Sequence, residues 1–235
     1  MNIICFDLDD TLFPELEYLK SAYWEIVLFA LKRRGEINSS FNITANEGYE
    51  TMLNAFYNGK NAFEQLNKAF GLDIPLKTYL DIYRNHKPKR QHNEKLTFLL
   101  SSLSQEDNIL GIISDGRSVQ QRNKIAALDI EHFFAKENII ISEEFGSQKP
   151  AEKNYSNFME RYPDTERFIY VGDNTEKDFI APNKLGWLTV GLLDKGGNIH
   201  KQRTDLPIDF LPKVWIKELR EISSLIFPEA DTKVL

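Results

Sequence analysis

The sequence has little with which to build a cross-linked or membrane-bound protein. One of its 235 residues is cysteine. Cys5 therefore has no internal disulfide partner, a reducing compartment is expected, and its setting in an apolar run predicts a small buried residue. No apolar run approaches the ~20 residues that cross a bilayer as a helix. The first residues meet acids at once and lack the basic segment of a secretory signal, so a cytoplasmic protein with no membrane partner is expected. Positive charge is also scarce. There are 29 Lys and Arg against 35 Asp and Glu, a net charge of −6, which argues against a nucleic-acid partner, since such proteins present a basic face. The one basic stretch, His86-Lys87-Pro88-Lys89-Arg90, reads as a solvated linker. Repeats and low-complexity segments are missing too. What remains is an ordinary globular composition, 42% apolar and 27% charged, long enough for one large domain or two modest ones.

The chain is organised around its first stretch. Asn2 to Phe6 is a short apolar run that reads as a buried strand, and it stops against Asp7-Leu8-Asp9-Asp10-Thr11-Leu12. Clustered carboxylates repel one another unless a cation neutralises them, and hard oxygen ligands of this kind suit magnesium. A solvated turn with one acid as a helix N-cap is the other reading of the same residues.

After Leu12 the hydrophobic period changes. Pro14 opens a helix with Leu16, Leu19, Tyr23, Val27 and Leu31 on one face, ending at Lys32-Arg33-Arg34-Gly35. Thr44 and Glu47 read as a capping box for a second helix, with Met52, Leu53, Phe56 and Tyr57 as its apolar face and Gly59 as its stop. Two more helices are predicted, Ala62 to Phe70 closed by Gly71, and Leu76 to about Tyr83. Four helices with no strand between them predict an inserted all-helical domain over residues 14–86, whose aromatics Tyr18, Tyr23, Trp24, Tyr49, Phe56 and Phe63 serve mainly as its core. The remainder, 1–13 with 87–235, alternates. A helix with Leu96, Leu99, Leu100 and Leu103 on one face is followed by a strand at Ile109–Ile113 and a helix opened by a Ser118/Gln121 capping box. Then come a strand at Ile139, a helix from about Ala151 to Tyr162, a strand at Phe168, a helix from Glu176 to Leu185, and a strand from Leu188 to Leu192. A short strand at Val214–Ile216 and a helix from Leu219 to Phe227 end the series. Such alternation predicts an α/β domain, a Rossmann-like, doubly wound, mainly parallel sheet with helices on both faces.

Polar clusters follow four of these strands. Asp7-x-Asp9-x-Thr11 ends the first, Ser114-Asp115-Gly116 the second, Lys149-Pro150 comes shortly after the third, and Gly172-Asp173-Asn174, with Asp178, ends the fourth. In this order they resemble the four-motif signature of the haloacid dehalogenase superfamily, in phosphatase form with an inserted helical cap. The resemblance runs from residue 3 to about Leu192.

The resemblance implies a phosphatase that hydrolyses a small phosphorylated metabolite, sugar phosphate or nucleotide-like, through an aspartyl phosphate, with Mg2+ as cofactor. It implies Asp7 as nucleophile and Asp9 as general acid and base. Lys149 stabilises charge, and Ser114 with the backbone around Asp115 and Gly116 binds phosphate. The magnesium ligands implied are Asp7, the Asp9 carbonyl and Asp173. Thr11 holds the loop after the nucleophile, Asn174 and Arg117 lie near the site, and Asp178 either orients metal-bound water or Lys149 or is a solvated helix acid. Asp10 stands where many relatives have glycine. A phosphomutase, a dehalogenase-like hydrolase and a non-catalytic binding module are the alternatives. In the superfamily dehalogenases lack a carboxylate at the position of Asp9, so Asp9 and Asp173 together point to phosphate chemistry.

Overall fold

The computed structural model describes residues 1–35, 41–91, 93–105 and 108–226. The chain forms two compact units, Met1–Glu15 with Arg90–Leu235, and Leu16–Lys89. No helix among the described residues is long and apolar enough to cross a membrane.

The first unit is built on a six-stranded sheet of β1 (Asn2–Phe6), β2 (Ile109–Ser114), β3 (Ile139–Ile141), β4 (Arg167–Gly172), β5 (Leu188–Leu192) and β6 (Val214–Ile216). All neighbours are parallel, in the order β3-β2-β1-β4-β5-β6. The chain thus builds outward from β1 to β3, returns to the other side of β1, and builds outward again to β6. Connections between parallel strands are right-handed, so this reversal moves the later helices to the opposite face of the sheet and opens a crevice beyond the carboxyl ends of β1 and β4. Register aligns those ends: Phe6 pairs with both Ile112 and Val171, and the Asp7 N–H continues the ladder to the Val171 carbonyl at 2.8 Å.

Side chains alternate along a strand. Ile3, Cys5, Ile113, Ile140 and Tyr170 pack on one face against Tyr155 and Phe158 of a helix and Trp187, while Ile4, Phe6, Ile112, Ile169 and Val171 are buried on the other. Both faces are therefore covered, and Cys5 is an inert core residue whose thiol is pushed well up by burial. Leu96, Leu99, Leu100 and Leu103 are likewise buried, as their helical spacing predicts.

The helices, in chain order, are α1 (Glu15–Arg34), α2 (Phe41–Tyr57), α3 (Ala62–Phe70), α4 (Leu76–Asn85), α5 (Glu94–Gln105), α6 (Ser118–Leu128), α7 (Ser142–Phe145), α8 (Lys153–Arg161), α9 (Ile180–Lys184) and α10 (Ile222–Ile226). Several differ from the sequence reading. α2 runs from Phe41, so Thr44 lies within it rather than at its start, and Tyr57 is 61% exposed and so lies off the packed face. α6 carries no Ser118/Gln121 box, because Arg117 occupies the cap position without a side-chain bond and Gln121 is drawn elsewhere. The helix expected from Glu176 is only five residues long, starting at Ile180. The short α7 has no counterpart in the reading. A 3-10 turn over Leu219–Glu221 precedes α10, and the predicted end at Phe227 lies outside the described residues.

In the helical unit, α3 is fixed at both ends. Asn61 accepts from the Phe63 and Glu64 N–H groups, and Gly71 closes it in the left-handed region at φ 61°. Phe63 stacks on Tyr79 at 5.4 Å and Trp24 meets Tyr49 edge-on at 5.5 Å. Tyr18, Tyr23 and Tyr79 are buried, consistent with large aromatics holding a small helical unit together.

Candidate active site

The sheet delivers Asp7 to the crevice as the first residue beyond β1, almost fully buried. Lys149, which follows β3 through α7, places its Nζ 2.7 Å from Asp7 Oδ1, 2.7 Å from Asp178 Oδ1 and 3.1 Å from the Tyr170 hydroxyl. Burial alone would lower the Lys149 pKa, but Asp178 and Asp7 outweigh it and hold the ammonium well above its ordinary value. Asp178 is buried, not a solvated helix acid. Its Oδ2 accepts the N–H groups of Asp173 and Asn174 at 3.1 and 2.8 Å, which is why residues 175–179 wind around it as turns instead of a helix. Gly172 makes room for this. A Cβ there would sit 2.4 Å from Asp178 Oδ2.

Asp173 is the first residue beyond β4, beside Asp7. Its Oδ1 accepts from the Thr11 hydroxyl at 3.2 Å and its Oδ2 from Asn198 Nδ2 at 2.7 Å. Burial first, then Asp178, Asp7 and Asp10, pushes its pKa up to about 9. Asp7 rises to about 7 by burial, with Lys149 pulling it back and Asp178 adding to the rise. These are acids under mutual repulsion, the condition that a divalent cation relieves. Asp7, Asp173 and Asp178 each have a carboxylate oxygen within 4.8 Å of the others. Asp178 already spends both oxygens on Lys149, Tyr170 and two backbone N–H groups, so Asp7 and Asp173 are the pair suited to a hard ion.

Asp9 is 19% exposed. One oxygen accepts from Gln121 Nε2 at 2.8 Å and the other is ion-paired with the buried Lys124. Gln121 also donates to the Asp115 carbonyl at 2.6 Å, so α6 ties the loop after β1 to the loop after β2. In that second loop Ser114 is buried, and its hydroxyl has no partner among the described residues. Asp115 accepts the Lys149 N–H at 3.0 Å and faces Lys177 at 3.7 Å. The Gly116 N–H is already engaged by Ser142 Oγ at 2.9 Å. Arg117 turns to solvent and pairs with Glu143. Asn174 closes a local turn by accepting the Glu176 N–H at 3.0 Å. Asp10 adopts φ 55°, in the left-handed region where glycine is at ease and aspartate is tolerated. Its two oxygens accept the N–H groups of Glu15 at 2.8 Å and Ile199 at 3.1 Å. Asp7, Asp9, Asp10, Asp115 and Asp173, with Glu15, Asn174 and Lys177, line a cleft of about 230 Å³. Burial and Asp9 push Glu15 up to about 7.

Sequence reasoning missed Gln121, Lys124, Asn198 and Gln202. For the first two a signal existed. Gln121 and Lys124 share the helical face of Ile125 and Leu128, and an amide and an ammonium on a buried face must have partners. For Asn198 the signal was the turn-forming Asp194-x-Gly196-Gly197-Asn198 after β5.

Fold and site together define a doubly wound α/β hydrolase. A family profile for haloacid dehalogenase-like hydrolases matches residues 4–192. Among curated proteins, a glyceraldehyde 3-phosphate phosphatase of Methanocaldococcus jannaschii is 30% identical over 95% of this chain and 96% of its own length. A glyceraldehyde 3-phosphate phosphatase of Methanopyrus kandleri is 26% identical over 96% and 97%. Among solved structures, the magnesium-bound HAD-hydrolase YfnB of Bacillus subtilis superposes with a TM-score of 0.65 at 21% identity, covering 96% of this chain and 98% of that one. The chain belongs to the haloacid dehalogenase-like hydrolase family. Within it, the chain is a phosphatase, a hydrolase acting on phosphomonoesters.

Proposed function

We propose that the protein is a magnesium-dependent phosphatase that releases phosphate from a small phosphorylated metabolite through an aspartyl phosphate on Asp7. The observation that carries this is Asp7 itself, a buried carboxylate at the switch point of the sheet, 2.7 Å from a buried lysine and beside Asp173. An Asp7 oxygen attacks phosphorus as the bond to the leaving oxygen breaks, and Asp9, in its protonated form, gives that oxygen its proton. Asp9 then takes a proton from water, the water oxygen bonds to phosphorus, the phosphorus–Asp7 bond breaks, and inorganic phosphate leaves. Lys149 stays between Asp7 and Asp178 throughout and offsets the charge that gathers on Asp7 and the phosphoryl oxygens. Ser114, with an unspent hydroxyl, is the donor for a phosphate oxygen. Asp7 and Asp173, with the Asp9 carbonyl, would hold Mg2+, which supplies charge that offsets the repulsion between Asp7 and a dianionic phosphate.

The relatives that are glyceraldehyde 3-phosphate phosphatases, at 25–30% identity over most of the chain, make a three-carbon sugar phosphate the leading substrate class. The helical unit, inserted directly after the acids of β1, serves as the cap that selects it. The test is phosphate release from a panel of phosphorylated metabolites that includes glyceraldehyde 3-phosphate, with and without magnesium. Release from a triose phosphate only when magnesium is present is expected. An isomerised product with little free phosphate would instead make the protein a mutase, and no reaction in the whole panel would refute the proposal.

A further inference from the structure

We propose that Asn198 is a positioning residue for the cation site, through which the loop after β5 sets how tightly Asp7 and Asp173 hold a divalent ion. This rests on the reading of Asp173 as an ion ligand. The Asn198 amide donates to Asp173 Oδ2 at 2.7 Å while Thr11 donates to Oδ1 at 3.2 Å. With one donor on each oxygen, the carboxylate cannot turn about its last bond, and its remaining lone pairs are aimed. Partners of this kind, one step out from the metal, orient a ligand and stabilise its charged form.

Asn198 is itself held in place. Asp194 Oδ1 accepts the N–H groups of Gly196, Gly197 and Asn198 at 2.7, 2.9 and 3.2 Å, a tight turn in which Gly196 takes φ 90°. Gln202 clasps the far side. Its Nε2 donates to the carbonyls of Leu192 and Asp173 at 2.9 and 2.8 Å, and its Oε1 accepts the Asp194 N–H at 3.1 Å. The next N–H, that of Ile199, is bonded to Asp10. The loop is thus fastened to the ends of β4 and β5 and to the turn after β1, and the amide it presents meets a carboxylate already crowded by Asp7, Asp178 and Asp10.

The experiment follows free Mn2+ by electron paramagnetic resonance as it titrates into wild-type protein and N198A, alongside the Mg2+ dependence of phosphate release. Loss of such a partner is expected to weaken ion binding by a factor on the order of 10 to 100. The Mn2+ Kd and the Mg2+ midpoint of activation should rise together by that factor, with kcat at saturating Mg2+ within about twofold of wild type. A merely structural role would lower Tm and kcat and leave both metal midpoints in place, and that result overturns the proposal. Should N198A fold poorly, N198D keeps the volume and sets a carboxylate against Asp173. Its Tm should then gain more from Mg2+ than the wild-type Tm does, and an equal gain overturns the proposal. Wild-type protein that binds no Mn2+ overturns both the clamp and the ion-ligand reading. Altered Mn2+ binding in a protein that releases phosphate from nothing keeps the clamp and refutes only the phosphatase.

Discussion

Replacing Asp178 by asparagine changes one atom and should injure both the fold and the reaction. Asp178 is fully buried, with one oxygen on Lys149 and Tyr170 and the other on the N–H groups of Asp173 and Asn174. Asparagine offers one acceptor and one donor. Whichever way the amide is turned, its NH2 faces either the ammonium or two N–H groups, so a buried donor meets a donor. Breaking a buried ion pair costs roughly 3–5 kcal/mol. Lys149 keeps Asp7 at 2.7 Å, which sets the loss near the lower end, about 3 kcal/mol. In a domain of this size 1 kcal/mol moves Tm by about 2–4 °C, so a fall of about 6–12 °C is expected. Lys149 would then be drawn wholly to Asp7, and the loop carrying Asp173 would loosen, so kcat should fall by a factor on the order of 100. Thermal unfolding and initial rates of phosphate release from one preparation check this. A Tm within 2 °C of wild type with a rate within about threefold would refute the reasoning, because it would mean that the charge of Asp178 is not holding Lys149.

Asp7→Asn should abolish turnover and keep the fold, since it removes the nucleophile with almost no change in volume, and relief of the repulsion among Asp7, Asp173 and Asp178 offsets part of the lost pairing with Lys149; phosphate release above background refutes the assignment. Lys124→Met keeps the buried stem and removes the partner of Asp9, and should lower kcat by a factor on the order of 10 to 100 with little change in KM, while an unchanged kcat would take Lys124 out of the reaction. Chelation should silence the enzyme and added Mg2+ restore it, whereas Ca2+, with its looser coordination, should not; full activity in chelator contradicts the cation site.

The parts of the site that were legible in the sequence are those the sheet delivers. Asp7, Ser114 and Asp173 each close or follow an apolar run that reads as a strand, and the parallel order then brings them to one edge. Lys149, set between Ile141 and α8, was legible only through the motif order. What was not legible depends on how helices and loops turn once packed. Gln121 has the spacing of a capping partner, but α6 starts in a position where Asp9 and the Asp115 carbonyl take its amide. Asp178 lies in a segment with the periodicity of a helix, and only the N–H groups that converge on its carboxylate unwind that segment. Asn198 is far along the chain from Asp173 and reaches it through a turn whose shape is set by Asp194, a local signal, and whose destination is not.

Asp10 gives the fold an unusual dependency. Its left-handed backbone serves the turn, and glycine would serve it as well, but only a carboxylate there also tethers Glu15 and Ile199. The root of α1, where the helical insertion leaves the sheet, shares one side chain with the loop that carries Asn198. Both contacts are made to backbone N–H groups, so they depend on the side chain at position 10 and not on the residues at 15 or 199. A single change such as Asp10→Gly would therefore release the first turn of α1 and the loop after β5 together, although the two lie far apart in the chain.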